Sequence, residues 1–395
     1  MSAAFDREDV SGLFDDPEPI RVVILGSTGS VGAQALEVVR SHRQRFRVVA
    51  LAARSDAESL AQQAKEFEVD LVGIVEGDLE PPPGAKVITG DRSAAEIVEE
   101  ATAEVVLNAV LGAAGLEATL ATLKTGKTLA LANKESLVAA GEFVMAKAGP
   151  GQIRPVDSEH SAMWQALEGI SPDRVSKAYL TASGGPFRGR SRSELEKVTV
   201  EEAVAHPVWN MGRKISVDSA TLMNKGFEVI EAHFLFGFTY DEIEVVIHPE
   251  GLIHAMIEMA DTSVVAAAYY PDMRLPIQLA LGWPERFRTA DMKRIAFSEG
   301  TSLSFHEPDL ETFRCLSLAY DAARRGDTYP AVLNAANEVA VAHFLEEKIG
   351  FLDIEGVVEE VLDSHSPGAA DLENVIEQDQ WARVRAAEVT GKIAR

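Results

Sequence analysis

Residues 21–32 constrain the fold of this chain more than any other stretch. Arg21-Val22-Val23-Ile24-Leu25 is a short apolar run rich in β-branched residues, the pattern of a buried strand. It leads directly into Gly26-Ser27-Thr28-Gly29-Ser30-Val31-Gly32, and Ala33 to Arg40 then has helical character. Strand, glycine-rich turn and helix in that order let backbone N–H groups approach a pyrophosphate at a helix N-terminus. The spacing is G-x-x-G-x-x-G rather than the commoner G-x-G-x-x-G, so the glycines alone would also suit a plain tight turn. The strand-to-helix setting favours a dinucleotide.

A second strand, Phe46 to Ala52, runs into Ala53-Arg54-Ser55-Asp56-Ala57-Glu58, where Ser55 and Glu58 predict a capping box for the next helix. Arg54 stands where an NAD enzyme would place an acidic residue for the ribose hydroxyls, which favours the 2′-phosphate of NADP. A solvated loop charge is the other reading of Arg54, and Asp56 would repel a phosphate. Strand and helix patterns keep alternating through Leu71 to Val75, a Pro81-Pro82-Pro83-Gly84 loop, Glu104 to Val110 and Lys127 to Ala132. The last of these ends in Asn133-Lys134-Glu135-Ser136, either a cation set for a cofactor or anionic substrate, or a helix start with Glu135 in its favourable first turn.

The run Gln152 to Val156 is followed by Asp157-Ser158-Glu159-His160-Ser161. Ligands are held at the carboxyl ends of strands in such proteins. On continuing strand geometry Asp157 and Glu159 share a face, and two hard oxygen ligands suit Mg2+ or Mn2+. A polar loop capping a helix that starts near Ser161 fits as well. Val175 to Thr181 predicts a strand ending in Ala182-Ser183-Gly184-Gly185, a phosphate cradle or an ordinary loop. His206-Pro207-Val208-Trp209-Asn210-Met211-Gly212 has the glycine and proline bounds of a lid, although Trp209 and Met211 could equally be core anchors. His206 alone reads as a structural hydrogen-bonder. In Ser216 to Glu228, Asp218 or Ser219 is the expected helix cap, and Asn224, Lys225 and Glu228 fall on one face at i, i+3 and i+4 spacings. That face is a surface ion pair in most proteins. Beside Asp157 and Glu159, Glu228 offers a third oxygen ligand, and Ser219, Asn224 and Lys225 could hold a phosphate.

Three apolar runs between Glu244 and Tyr270 predict antiparallel strands, an edge suited to dimerisation, and from about Pro308 the pattern is helical to Ile393. The expected organisation is an acidic disordered leader at 1–19, a Rossmann-like doubly wound α/β domain at 20–151, a central α/β catalytic, metal-binding and dimerisation domain with its lid at 152–300, and a C-terminal helical bundle at 301–395. A formal net charge of −25 opposes nucleic-acid binding. No apolar run approaches the roughly 20 residues needed to cross a bilayer. A single cysteine, Cys315, excludes an intrachain disulfide and suits a cytoplasmic setting.

From about Ile20 onward the chain resembles the 1-deoxy-D-xylulose 5-phosphate reductoisomerase family. The likeness rests on G-S-T-G-S-V-G, L-A-N-K-E-S-L, P-V-D-S-E-H-S, S-G-G-P-F-R, H-P-V-W-N-M-G-R-K-I-S-V-D-S-A-T-L-M-N-K-G-F-E and N-A-A-N-E, in that order. It implies NADPH- and metal-dependent rearrangement of the ketose phosphate and reduction to 2-C-methyl-D-erythritol 4-phosphate, by a homodimer, on the non-mevalonate isoprenoid route. It implies a metal at Asp157, Glu159 and Glu228. Substrate contacts fall on Lys134, Ser158, Glu159, Ser183, His206, Ser219, Asn224, Lys225 and Glu228. NADPH contacts fall on Thr28, Gly29, Ser30, Val31, Arg54, Ser55, Asp56, Asn133, Glu135 and Gly212. The reacting groups would be Lys134, Asp157, Glu159, Glu228 and His206. The sequence departs from the family pattern at Val208 and Asn210, which flank the lid tryptophan, and at Arg54-Ser55-Asp56. A homoserine- or semialdehyde-type NADP dehydrogenase and a non-catalytic nucleotide sensor are the competing readings; neither needs three metal carboxylates.

Overall fold

A computed structural model describes residues 18–209, 211–288, 291–369 and 371–393. The expected acidic leader, apart from its last two residues, and Asn210 lie outside the described residues. Strands β1 (Ile20–Leu25), β2 (Phe46–Ala53), β3 (Leu71–Ile74), β4 (Lys86–Thr89), β5 (Val105–Asn108), β6 (Thr128–Leu131) and β7 (Ile153–Pro155) form one sheet in the order β4-β3-β2-β1-β5-β6-β7. All its pairings are parallel. Parallel neighbours need crossovers, supplied by α1 (Ser30–Ser41), α2 (Ala57–Glu66), α3 (Ser93–Glu100), α4 (Leu116–Lys124) and α5 (Glu135–Lys147). With both faces covered, the central strands are mostly apolar, and Val22 to Leu25, Val106, Leu107 and Leu129 to Leu131 are fully buried.

Strand order reverses beside β1, and such a switch point opens a crevice at the strands' carboxyl ends. The glycine turn occupies it. Gly26 has φ +75°, and a Cβ there would lie 2.5 Å from the Ala109 carbonyl oxygen just beyond β5. A Cβ on Gly32 would overlap the Gly26 carbonyl oxygen, so turn and helix are in backbone contact. The strand β4 escapes the sequence pattern because it is short and half exposed, with only Ile88 buried. The expected Ser55–Glu58 capping box does not form: Asp56 is the N-cap of α2, accepting from the Ser59 N–H at 3.1 Å.

After α6 (Ser158–Leu167), strand β8 (Val175–Ala182) starts a second sheet. Three short or medium helices follow, α7 (Arg192–Leu195), α8 (Val200–Val204) and α9 (Arg213–Ala220), then α10 (Met223–Phe236), β9 (Ile243–Ile247), β10 (Ile253–Met259) and β11 (Val264–Ala268). The order is β11-β10-β8-β9, with β8 and β9 parallel and the other pairs antiparallel. The three late strands are therefore not a meander: α10 carries the chain across to lay β9 beside β8. Asp218 and Ser219 also depart from expectation, lying inside α9, while α10 is preceded by Leu222 at φ +62°. Helix α11 (Arg274–Gly282) returns to the first sheet, where Ile277, Ala280 and Leu281 join its core. The helical pattern of the C-terminal quarter becomes α12 (Arg314–Arg325), α13 (Tyr329–Leu345), α14 (Asp353–Ser364) and α15 (Leu372–Ile393) around a nearly all-buried α13.

Because only backbone surrounds Gly32, Gly32→Ala should lower the unfolding free energy by about 1–3 kcal/mol. An unchanged urea midpoint would show that the turn relaxes instead.

Candidate active site

The chain has already left strand geometry when it reaches the first two acidic residues. Strand β7 ends at Pro155, Asp157 is the N-cap of α6, Ser158 opens the helix and Glu159 lies in its first turn. The two carboxylates therefore converge by a helix start, not by strand alternation. They meet the face of α10 bearing Asn224, Lys225 and Glu228. One carboxylate oxygen each from Asp157, Glu159 and Glu228 lie within 4.8 Å of one another, and Glu159, the most open, is 13% exposed.

Two ammonium groups thread this cluster. Lys134, buried at the start of α5, pairs with Asp157 and with Glu228 at 3.4 Å and donates to Asn224 Oδ1 at 2.9 Å. Lys225 pairs with Glu228 and reaches Glu159 at 3.2 Å. Asn224 in turn donates to Glu228 Oε1 at 2.5 Å. Burial pushes the Asp157 carboxyl up, but the Lys134 ammonium overrides it and holds it well below the usual range. For Glu159 burial and the nearby Glu228 charge win over Lys225, and its carboxyl is pushed up to about 8. A carboxylate raised in this way marks a surplus of negative charge. With three hard oxygen donors converging on it, the cluster fits a Mg2+-like ion.

Beside it, the Ser183 loop packs on α9: a Cβ on Gly185, at φ +69°, would lie 2.8 Å from the Ser219 carbonyl oxygen. His206 Nε2 is 3.1 Å from Ser183 Oγ, and its Nδ1 accepts from the Val208 and Trp209 N–H groups at 3.2 and 2.8 Å. Burial, with the Lys225 charge second, lowers the imidazole to about 4, so it is neutral at pH 7. Its hydrogen bonds fix the start of the 206–212 segment, and Trp209 leans edge-on against His254, with ring centroids 6.0 Å apart.

At the glycine turn, Thr28, Gly29, Ser30 and Val31 surround the N-terminus of α1, whose first turn has no side-chain cap. Asn133 donates to the Val110 and Gly112 carbonyl oxygens at 2.7 and 2.9 Å and to Glu135 at 3.1 Å. Glu135 pairs at 3.2 Å with Lys214, two residues beyond Gly212, the N-cap of α9. Asn133, Glu135 and Gly212 are thus tied into one edge of the crevice. Arg54, Ser55 and Asp56 sit apart at the end of β2, where Arg54 is 77% exposed and pairs with Glu76 at 3.1 Å.

Three family profiles match consecutive parts of the chain: 1-deoxy-D-xylulose 5-phosphate reductoisomerase over residues 22–141, its C-terminal domain over 153–236, and a DXP reductoisomerase C-terminal domain over 270–385. A curated protein of that name from Leifsonia xyli is 49% identical over 94% of this chain and 99% of its own, and one from Crocosphaera subtropica is 46% identical over 94% and 97%. The chain belongs to the 1-deoxy-D-xylulose 5-phosphate reductoisomerase family. Among solved members, the Zymomonas mobilis enzyme in complex with NADPH is 40% identical with a TM-score of 0.85, covering 94% of this chain and 99% of its own. A DOX-P reductoisomerase in complex with NADPH, fosmidomycin and magnesium is 37% identical with a TM-score of 0.88, over 94% and 98%.

Within this family member, sequence reasoning left several buried polar groups at the site without a role. Tyr269 donates its hydroxyl to the Ser158 carbonyl oxygen at 2.7 Å. Lys214 also pairs with Asp218 at 2.9 Å, and Asp218 accepts from Asn337 of α13 at 2.7 Å. His160 and Glu231 contact the carboxylate cluster from behind. Only Glu231, three residues past Glu228 on an established helix face, carried a readable signal.

Protonating His206 Nδ1 would remove the acceptor for two loop N–H groups. Chymotrypsin cleavage after Trp209 should therefore be flat from pH 8 to 5, measured against a reference substrate, and rise toward pH 4. At pH 7 His206→Ala should be cleaved faster and His206→Asn less so. Equal rates in all three proteins would show that the imidazole does not hold the segment.

Proposed function

We propose that this protein converts 1-deoxy-D-xylulose 5-phosphate to 2-C-methyl-D-erythritol 4-phosphate by rearrangement and NADPH reduction, the activity that names its family. The buried cluster of Asp157, Glu159 and Glu228, bridged by Lys134 and Lys225 on the carboxyl side of the sheet that also carries the glycine turn, carries the reading. NADPH supplies a hydride, and a Mg2+ or Mn2+ ion on the three carboxylates supplies Lewis-acid polarisation and a template for adjacent oxygens. Ser183, Ser219, Asn224 and Lys225 bind the substrate phosphate, with His206 offering a neutral N–H and not a second charge. Ser158, between two of the acidic residues, and Lys134 orient the polar end of the substrate. Thr28, Gly29, Ser30 and Val31 present backbone donors to the pyrophosphate, and Asn133, Glu135 and Gly212 line the same crevice. Arg54, with Ser55 and Asp56, meets the 2′-phosphate by exchanging its exposed Glu76 partner. The segment carrying Trp209 closes over the ligand and excludes water.

A homoserine- or semialdehyde-type dehydrogenase and a nucleotide sensor are not favoured, because family likeness runs almost the whole length of the chain and neither function calls for the carboxylate set. We place the first domain boundary after β7, past the expected 151/152, because that strand belongs to the parallel sheet, the second at 300/301, and the protein in the cytoplasm; no described helix is long and apolar enough to cross a membrane. A homodimer through β11 is supported by that strand's position at a sheet edge, with Val264 51% and Val265 39% exposed.

NADPH oxidation should require both 1-deoxy-D-xylulose 5-phosphate and Mg2+ or Mn2+, and activity surviving EDTA would sink the metal assignment. Glu228→Gln should lose about 100-fold in kcat/KM, the equivalent of about 3 kcal/mol. Arg54→Ala should narrow the preference for NADPH over NADH, and an unmoved ratio would make Arg54 a solvated charge.

A further inference from the structure

Glu231 is wholly buried on α10, and neither of its carboxylate oxygens has a hydrogen-bond partner among the described residues. A carboxylate placed so is expensive, and a leucine or methionine would fill the space without that penalty. What Glu231 faces is His160. Its Oε2 lies 3.3 Å from the ring Nδ1, which also stands 3.8 Å from Asp157 Oδ1. On the other side of the ring, Nε2 donates to the backbone carbonyl oxygen of Glu228 at 2.8 Å. The imidazole is fully buried, with Phe236 stacked parallel at 6.4 Å. One ring therefore spans from α6, next to Glu159, to α10, at Glu228, and abuts Asp157. Those two helices carry the three carboxylates, so whatever fixes one helix against the other also fixes the distances between the oxygens.

We infer that Glu231 is a positioning residue: it anchors the His160 ring that staples α6 to α10 and thereby holds Asp157, Glu159 and Glu228 at ion-binding spacing. The inference rests on the reading of those three residues as the divalent-ion site. It accounts for a buried charge that packing does not require, and for the placement of an imidazole behind the cluster, not within it. The donor atoms of Asp157, His160 and Glu231 also lie within 4.8 Å of one another, so direct ligation of a second ion is the rival that a test must separate.

The test is Mn2+ binding to the full-length protein, followed by titration calorimetry and electron paramagnetic resonance, with thermal melts of each variant. The parent should bind one ion per chain, and Glu228→Gln should abolish binding. Glu231→Gln and Glu231→Met should each weaken Mn2+ affinity about 10- to 100-fold, the range for residues that orient ligands. Glu231→Met should melt no lower than the parent, because an apolar side chain replaces a buried charge. His160→Gln should weaken binding to a similar extent, and the double variant His160→Gln/Glu231→Gln should be no worse than either alone. Affinity within twofold of the parent in both Glu231 variants, with Glu228→Gln still losing the ion, would overturn the inference and leave the site reading standing. Two ions per chain would make Glu231 a ligand and overturn it as well, and a fall in melting temperature in both variants in step with lost affinity would assign Glu231 to the core. A parent that binds no Mn2+ overturns the site reading itself and the inference with it.

Discussion

Like-charge crowding of buried carboxylates is the constraint around which this structure is organised. Asp157, Glu159, Glu228 and Glu231 share a nearly closed space with Lys134 and Lys225. Two ammonium groups and the His160 imidazole, which burial lowers but Glu231 and Asp157 raise to about 9, do not balance four carboxylates, and in a low-dielectric interior each uncompensated charge is costly. The surplus is visible in Glu159, held up to about 8, and in Glu231, raised by burial to about 7, while Asp157, beside Lys134, stays well below the usual range. Three helix ends, the N-termini of α5, α6 and α10, must converge to assemble the cluster. No hydrophobic gain asks for this arrangement, so the scaffold has to impose it.

The scaffold does so with two sheets of different character. The parallel sheet delivers Lys134 and Asp157 just beyond β6 and β7, next to each other in the order, so both emerge on the carboxyl side that also carries the glycine turn. The second sheet positions the Ser183 loop beyond β8 and, through the α10 crossover, sets Asn224, Lys225 and Glu228 opposite it. Glycine turn and carboxylate cluster therefore lie on the same carboxyl side of the parallel sheet, with one crossover helix completing the cluster.

Local pattern was enough to find most of these parts. The β-branched run and glycines at 21–32 marked the first strand and turn, and the i, i+3 and i+4 spacing of Asn224, Lys225 and Glu228 marked a helix face. It did not reveal how the parts meet. Asp157 and Glu159 were selected through an alternation they do not follow, since the helix begins at Ser158. The expected cap at Ser55 gave way to Asp56, one residue on, because both offer a suitable oxygen and only the backbone path decides. Of the three expected antiparallel strands only β10 and β11 pair with each other, because β8, far back in sequence, lies between β9 and β10 and takes β9 in parallel. Lys214, Tyr269 and Asn337 gave no sign at all: their partners are Glu135, Ser158 and Asp218, and long-range pairs between buried polar groups leave no periodicity.

Those long-range pairs explain why helices far from the chemistry belong to the same structure. Lys214 connects Glu135, at the start of α5, to Asp218 within α9, and Asp218 continues to Asn337 of α13. Gly212, the N-cap of α9, ends the segment that carries Trp209, so the far anchor of that segment is set by a partly buried ion pair to the start of α5 and a hydrogen bond reaching into the C-terminal helices. Glu135, Asp218 and Asn337 are buried while Lys214 keeps 26% of its side chain exposed, and removing that lysine would strand two carboxylates in the interior. The segment between His206, held by its own ring, and Gly212, at the start of a helix held by this chain of contacts, is therefore anchored at both ends.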